Sequence, residues 1–255
     1  MGVLAIEKDA KQAFDVIMGG GTCILPMDVG YAFLGKGLDP VMHIFNTKQR
    51  SNTKYNALIG NMDHHRSLHE CTSRGREIVS AIVEDYDLPL GIIAPCNPEH
   101  ELFGTIEEEL YTRSTVDNTL AMLTNAGRFH AEITRLSFEA GQLFFGSSAN
   151  VSTTGTRFRV EDIQDEIKDA ADFIVNYGPV KYTHQGMSST LLNVETLEVV
   201  RFGCCYENIS DILKLHFNIN LPPRPREKSM ANLALVNRYN RIKQNYARLP
   251  QFISE

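Results

Sequence analysis

Short apolar runs alternate with amphipathic segments along residues 1–203, and this alternation most narrows the folds open to the chain. The spacing of apolar residues predicts helices over residues 5–18, 38–50, 63–84, 160–169 and most of 117–140. Short strands are predicted over residues 22–26, 56–60, 88–95, 143–145, 173–178, 189–194 and 197–203, the last two as a hairpin. We therefore expect an α/β fold, an open twisted sheet of mixed parallel and antiparallel strands flanked by helices.

The chain divides into two predicted parts, residues 1–203 and a helical extension over residues 204–255. Residues 221–226 are rich in proline and predict a linker. Residues 229–249 predict a basic amphipathic helix, since from Pro222 onward there are seven Lys/Arg against two Asp/Glu. Its apolar stripe favours packing on a protein surface, so we expect an acidic partner, a second copy of the chain or RNA as its target.

The composition excludes several classes of protein. No apolar run approaches the roughly 20 residues that span a bilayer, so no membrane partner is expected. The five cysteines show neither metal-ligand spacing nor a disulfide framework, which predicts a reducing, cytoplasmic location. The net charge is −6 over 255 residues, and residues 1–221 carry −11, which argues against a general nucleic-acid binder.

Small polar residues follow a buried strand in the run "LFFGSSANVSTTG", residues 143–155. Comparable polar residues end other predicted elements: "PMDVGY" at 26–31, "TKQR" at 47–50, "SST" at 188–190 and "RFG" at 201–203. Because ligands of open α/β sheets bind where strands give way to loops, we expect these residues to form one crevice. Two cations, several hydroxyls, one amide and one carboxylate would meet there, and this mixture is typical of a polyanion site, although no Walker or GxGxxG motif is present.

These segments together resemble the YrdC-like family, whose best-known members are threonylcarbamoyl-adenylate synthases of tRNA modification. The family has, in order, a Pro-Thr-(Asp/Glu)-Thr-x-Tyr-Gly-Leu strand end, K-x-R, S-x-N, a Ser-Thr strand and a closing Leu-Arg-x-Gly. The counterparts here are "PMDVGYAF", Lys48-Gln49-Arg50, Ser148-Ala149-Asn150, "STLLN" at 189–193 and "VRFG" at 200–203. The resemblance covers roughly residues 8–203 and implies the family's fold.

The resemblance implies an enzyme that forms a carbamoyl-adenylate from ATP, bicarbonate and an amine, and that releases pyrophosphate. Mg²⁺ is expected as the counter-ion of the phosphates. The implied catalytic residues are Lys48 and Arg50. The implied ATP-binding residues are Arg50, Ser148, Asn150 and Arg201. The implied substrate-binding residues are Tyr31, Arg113 and Ser189.

Two departures from the family pattern change the expected substrate. Met27 and Val29 stand where the family has threonines, whose hydroxyls lie around the threonine substrate. Two apolar side chains predict an altered pocket that Met27 and Val29 line. The expected partner is therefore a small-molecule amine or amino acid, threonine or another.

Two other functions fit the same residues. A non-catalytic relative would keep the crevice and bind a nucleotide or double-stranded RNA. A carbamoyltransferase would use carbamoyl phosphate as its donor. Each alternative keeps the cationic crevice, so the residues alone leave them open.

A histidine-rich segment raises the question of a metal site. His65 and His69 lie four residues apart, and His64 and Cys71 lie beside them. Two ligands on one helix face do not make a site, so we expect a solvated helix face here and no metal bound by the protein. Asp28 is expected to have a structural role in preference to an indirect one at Mg²⁺.

Overall fold

The structure is a computed structural model that describes residues 4–50, 55–183 and 186–225. Its α-helices are α1 Ile6–Met18, α2 Leu38–Thr47, α3 Met62–Leu68, α4 Ser73–Ser80, α5 Glu108–Ser114, α6 Arg128–Glu139, α7 Asp165–Asp169 and α8 Tyr206–Phe217. Its strands are β1 Cys23–Met27, β2 Gly30–Gly35, β3 Ala57–Ile59, β4 Leu90–Pro95, β5 Thr115–Val116, β6 Thr119–Thr124, β7 Phe144–Ser148, β8 Phe173–Ile174, β9 Leu191–Asn193 and β10 Val199–Arg201. A π-helical turn, Ala81–Asp85, extends α4, and short 3₁₀ turns span Glu101–Thr105 and Val160–Asp162.

The strands form one mixed sheet in the order β10-β9-β4-β6-β3-β7-β2-β1-β8, with β5 paired to β6. β3 runs parallel to β6, β4 to β9 and β1 to β8, and the other neighbours are antiparallel. Apolar clusters fill the space between this sheet and the helices. The predicted α/β class with a mixed open sheet is confirmed.

The hairpin of β1 and β2 lies toward one edge of the sheet, between β8 and β7. β1 and β2 are buried along their whole length, so they read as apolar runs without alternation. The sequence analysis did not assign residues 30–35 to a strand. Gly146 of β7 packs so closely on β2 that an added Cβ would lie 2.1 Å from the carbonyl oxygen of Phe33. The end of β7 is therefore held flat against β2, next to the end of α2.

Two predicted helices differ from the structure. The predicted helix over residues 63–84 is interrupted at His69, which forms a β-bridge with Cys96, and α4 restarts behind Thr72, whose hydroxyl accepts from the Gly75 amide. In the segment 117–140, the first part is the strand β6. Its residues alternate between buried and half-buried, and pairing with β3 and β4 outweighs the helix propensity of Leu, Ala and Met.

The compact unit extends past the predicted boundary at residue 203, as far as Leu221. The reason is α8, whose buried residues Ile209, Ile212 and Leu213 belong to the same apolar cluster as Val79 of α4. The second unit is Pro222–Glu255, of which the structure describes residues 222–225, without regular secondary structure. The predicted helix at 229–249, and the partners predicted for it, lie outside the described residues.

Among the helices that the structure describes, none is long and apolar enough to cross a membrane.

Candidate functional site

Lys48 joins the end of α2 to the end of β7. Its side chain is buried, with 1% of its surface exposed. Its Nζ donates hydrogen bonds to the backbone carbonyls of Ser148 and Asn150, the latter at 2.6 Å. The Lys48 carbonyl accepts from the Ser152 amide at 3.0 Å. Because hydrogen bonds from a charged donor are about twice as strong as neutral ones, Lys48 fixes the Ser-Ala-Asn turn in place.

Arg50 and Arg201 place two like charges close together. Arg50 Nη2 donates to the carbonyl of Tyr55, and Cζ of its guanidinium lies 5.4 Å from the ring centroid of Phe45. Burial, and then the charge of Arg201, lower the pKa of Arg50 to about 10, and burial also lowers the pKa of Arg201. Over the part of the chain that the structure describes, neither guanidinium forms an ion pair with a carboxylate. An anion placed between them would relieve this repulsion.

Ser189 holds Arg201 in position. Arg201 Nε donates to the Ser189 carbonyl at 2.8 Å, and Nη2 donates to the Ser189 hydroxyl at 3.2 Å. Gly203 lies so close behind Ser189 that an added Cβ would lie 2.2 Å from its backbone. The two late motifs of the sequence, "STLLN" and "VRFG", are thereby joined, and this contact requires the glycine.

The backbone of Arg113 adjoins the segment that contacts Arg50, whereas its side chain pairs with a carboxylate of α5. Its Nε donates to Glu109 Oε1 at 2.8 Å on the surface of α5. Its carbonyl accepts from the Asn56 amide, and the other end of that peptide group, the Tyr55 carbonyl, accepts from Arg50. The backbone of Arg113 therefore adjoins the site, whereas its side chain has a carboxylate partner.

The structure places Met27 and Val29 in the hydrophobic core. Each has 1% of its surface exposed, and both belong to the cluster that α1, β1 and α6 enclose. They fill space that a hairpin buried on both faces must fill with apolar groups. In the described residues they line no open surface, which differs from the predicted pocket-lining role.

Tyr31 is also buried, and its hydroxyl is used within the protein. It donates to the Gly178 carbonyl at 2.8 Å and accepts from the Tyr177 amide at 3.2 Å. Burial raises the pKa of the phenol. Tyr31 thus ties β2 to the "NYGPV" loop, although the sequence resemblance assigned it to the substrate.

Replacing Tyr31 by phenylalanine is expected to lower the free energy of unfolding by about 1 to 2 kcal/mol, because one buried carbonyl and one amide lose their partner. Urea denaturation measures this loss. The exposed Tyr86→Phe is the matched control and is expected to change stability by less than about 0.5 kcal/mol. A Tyr31→Phe protein that kept full stability but bound its substrate more weakly would restore the substrate role.

The loop after β7 contains polar residues that the sequence analysis did not single out. Arg157 Nη2 and Gln164 Nε2 both donate to the Thr154 hydroxyl, at 3.2 and 3.0 Å. No motif marks these two residues, because they are ordinary polar residues in a Ser/Thr/Gly-rich loop. Arg157 and Gln164 come together at Thr154 only through the folding of that loop.

The histidine segment is buried and not solvated as predicted. His64, His65 and His69 are at most 5% exposed, and Nδ1 of His65 lies 2.9 Å from Nδ1 of His69. Within the described residues no group of three or more His, Cys, Asp or Glu side chains is arranged to hold a metal ion. Asp28 Oδ2 lies 3.8 Å from Lys181 Nζ, and the Asp28 backbone carbonyl accepts from the Tyr182 amide. Both contacts connect the turn after β1 to residues 181–182.

The solved structures that the chain resembles have the same fold at low identity. A hypothetical protein, smu.1377c, from Streptococcus mutans UA159 is 19% identical with a TM-score of 0.64, covering 83% of this chain and 93% of that one. Sua5 from P. abyssi, complexed with L-threonine, is 19% identical with a TM-score of 0.64, covering 85% of this chain and 60% of its own. YciO from E. coli is 18% identical with a TM-score of 0.58, covering 78% and 90%.

The chain therefore spans about three fifths of the length of P. abyssi Sua5. No curated protein sequence matches it significantly. The family model Sua5_yciO_yrdC, described as telomere recombination, matches residues 15–203, which contain every predicted site residue. Since that match covers most of the chain and the fold agrees with it, the protein belongs to the Sua5/YciO/YrdC family.

Proposed function

We propose that the protein forms a carbamoyl-adenylate from ATP, bicarbonate and a small amine, and releases pyrophosphate. The observation that carries this proposal is the pair of half-buried guanidiniums, Arg50 and Arg201, which have no carboxylate partner in the described residues. Such a pair is stabilised by a bound polyanion, which carbamate and triphosphate together provide. Family membership supports the same chemistry, and the P. abyssi relative was solved with an amino acid bound.

In the proposed reaction, the amine nitrogen attacks bicarbonate and water leaves, which gives a carbamate. A carbamate oxygen then attacks the α-phosphorus of ATP, the bond to the bridging oxygen of the β-phosphate breaks, and pyrophosphate leaves. Arg50 and Arg201 stabilise the negative charge that builds on the phosphates, and Lys48 holds Ser148 and Asn150 where they orient the nucleotide. Alignment and charge stabilisation supply the catalysis, and no strong base is required.

Mg²⁺ is proposed to arrive with the ATP phosphates. In the part of the chain that the structure describes, no cluster of carboxylates or other ligands would hold the ion by itself. Magnesium commonly binds through substrate phosphates with few protein ligands, which agrees with this arrangement. No step in the reaction above is assigned to a protein-bound metal.

The amine is proposed to be L-threonine or another small amine or amino acid. The family's threonine hydroxyls are replaced by Met27 and Val29, and both are core residues here. Met27 and Val29 therefore offer no hydroxyl that would select threonine over another amine. A panel of amines identifies the substrate directly.

The test is pyrophosphate release from ATP and Mg²⁺, with and without bicarbonate, across amino acids and simple amines. We expect release that requires both bicarbonate and one amine. Arg50→Gln is expected to lower kcat/KM about 10- to 100-fold, the equivalent of one charged hydrogen bond in the transition state. The exposed Arg135→Gln removes an arginine whose ion pairs, among the described residues, are with Glu132 and Glu139, and it is expected to leave the rate unchanged.

Release without bicarbonate, or at the same rate in Arg50→Gln, would contradict the proposal. If no amine supports release while the protein still binds ATP or double-stranded RNA, the non-catalytic alternative replaces it. Adenylation that starts from carbamoyl phosphate instead of bicarbonate would favour the carbamoyltransferase alternative.

A further inference from the structure

Cys204 and Cys205 are adjacent in the chain and lie between the end of β10 and the start of α8. Both are free thiols, as are the other three cysteines. Their exposure differs, because Cys204 is 1% exposed whereas Cys205 is half-buried. The other three cysteines are at most 6% exposed. Cys205 is therefore the thiol that a small reagent in solution contacts most easily, and the proposed reaction gives it no role.

The surroundings of Cys205 favour its thiolate form. The thiol of Cys204 donates a hydrogen bond to the Cys205 sulfur, and this contact is the first cause that lowers the pKa of Cys205. The charge of Lys181 and a hydrogen bond from Tyr182 lower this pKa further, although burial and the carboxylate of Glu207 oppose them. The hydrogen bond between the two cysteines, and then burial, raise the pKa of Cys204. Because the thiolate is the nucleophile, Cys205 is the reactive member and Cys204 is in contact with it.

A disulfide between adjacent cysteines requires the backbone to change. Residues joined by a disulfide usually have Cα atoms about 4.4 to 6.8 Å apart, whereas adjacent Cα atoms lie about 3.8 Å apart across a trans peptide. Cys205 has φ 59° and ψ 13°, in the left-handed region that residues other than glycine seldom adopt and that is frequent in switch segments. Because strained disulfides are the easily reduced ones, a bridge closed here would be reversible.

The backbone of Cys204 is bonded to the segment that positions Arg201. The Cys204 amide donates to the Ser188 carbonyl at 2.9 Å, and the Thr190 hydroxyl donates to the Cys204 carbonyl at 2.9 Å. Between Ser188 and Thr190 lies Ser189, whose carbonyl and hydroxyl both accept from Arg201. A change in the backbone dihedral angles at Cys204 would therefore move Ser189 and the guanidinium that it holds.

We propose that Cys205 and Cys204 are a peroxide-sensitive pair that closes to a disulfide and displaces Arg201, and the effect on activity rests on the proposed function. The Cys205 thiolate attacks one oxygen of hydrogen peroxide, the O–O bond breaks, and the leaving hydroxide takes up a proton to give water. The Cys204 sulfur then attacks the sulfenic sulfur of Cys205, the S–O bond breaks, and the hydroxyl leaves with the Cys204 proton as a second water. The two thiols lose two electrons in total, and the peroxide gains them.

The first experiment treats the reduced full chain with hydrogen peroxide, denatures it, alkylates the remaining thiols and digests it with trypsin. Both cysteines lie in one tryptic peptide, residues 202–214. We expect this peptide from wild type to lose two hydrogens, to escape alkylation, and to regain both thiols with dithiothreitol. In Cys204→Ser, the sulfenic acid of Cys205 is expected to persist and to be trapped by dimedone. Cys71→Ser removes a buried thiol elsewhere and is the matched control, which is expected to close the bridge as wild type does.

The second experiment measures pyrophosphate release before and after oxidation. Oxidation is expected to lower kcat/KM of wild type about tenfold, the equivalent of one charged hydrogen bond in the transition state. Dithiothreitol is expected to restore the rate. Cys205→Ser is expected to keep the rate of the reduced wild type and to lose the response to peroxide.

Three outcomes would overturn the inference. Oxidation of Cys205 to a sulfinic acid, or to a bridge between two chains, with Cys204 still alkylated would show that the two thiols are not a pair. A closed bridge with unchanged pyrophosphate release would show that it does not displace Arg201. An equal loss of release in oxidised Cys205→Ser would place the sensitive group elsewhere. A reduced wild type that releases no pyrophosphate would instead contradict the proposed function, and the mass of the tryptic peptide would still decide whether the pair forms.

Discussion

Replacing Lys48 by methionine is expected to lower the free energy of unfolding by about 4 kcal/mol, because two charged hydrogen bonds are lost. Lys48 is 1% exposed, and its ammonium donates to two carbonyls at the end of β7. Methionine keeps the apolar stem but removes both charged hydrogen bonds, at a cost of about 1 to 3 kcal/mol each. The Ser148 carbonyl keeps the Asn150 amide, at 3.0 Å, as its other donor. Urea denaturation measures the change as a lower midpoint at unchanged slope.

Lys48→Arg is not expected to rescue the protein, because the larger guanidinium does not fit a fully buried position without displacing its neighbours. The control is Lys11→Met, since Lys11 forms an exposed pair with Asp15 that contributes at most about 0.5 kcal/mol. A loss below about 1 kcal/mol in Lys48→Met would show that the two carbonyls do not depend on the lysine. In that case the amine would be available to a ligand, as the sequence resemblance implied.

Acid is expected to unfold the protein well above the pH at which carboxylates titrate. Four histidines, His64, His65, His69 and His130, are at most 5% exposed. Burial is the first cause that lowers their pKa values, to about 4 for His64, His65 and His130 and to about 3 for His69. For His69 the neighbouring His65 adds to the decrease. All four are therefore neutral in the folded protein at pH 7.

The sign of the effect follows from proton binding. In the unfolded chain the same histidines have a pKa of about 6.5. Between that value and about 4, the unfolded state binds more protons than the folded state, so stability is complete above pH 6.5 and falls as the pH falls. Each histidine contributes about 1 kcal/mol of loss between pH 6.5 and 5.5, which gives about 4 kcal/mol for the four.

Urea denaturation at pH values from 7.5 to 5 measures this dependence. In the variant His130→Gln, the amide keeps a donor for the Leu123 carbonyl, which His130 Nε2 contacts at 3.1 Å. This variant is expected to lose about one quarter less unfolding free energy between pH 6.5 and 5.5, since one of the four histidines is removed. A free energy of unfolding that stayed constant down to pH 5 would mean that these imidazoles gain protons without leaving the folded structure.

The sequence predicted most of the elements whose signal is local. α1 has a regular apolar face, and the strands around "CILPM" and "LGIIAP" are continuous apolar runs, so each was predicted close to its observed bounds. The late hairpin of β9 and β10 followed from a turn between two short strands. The family itself was predicted from motifs in a fixed order, and the family model confirms it.

The predictions that were wrong concern segments whose structure is set by residues distant in the sequence and not by their own local pattern. β6 has the composition of a helix, and its two sheet neighbours, distant in sequence, impose the strand. The histidine segment has the spacing of a helix face, which says nothing about what covers it. Similarly, α8 joined the main unit because its apolar face meets α4 and the π turn, which no boundary signal at residue 203 could show.

The sequence by itself determined the family and the α/β class, because spacing and motif order are properties of the chain alone. Tertiary structure alone decided what each side chain contacts. It turned Lys48 inward to the carbonyls of Ser148 and Asn150, brought Arg201 against Ser189 and near Arg50, and enclosed Met27 in the core. The physical reason is that burial and hydrogen-bond partners come from residues far apart in the chain, 100 positions for Lys48 and Ser148 and 147 for Tyr31 and Gly178, and no local pattern encodes such contacts.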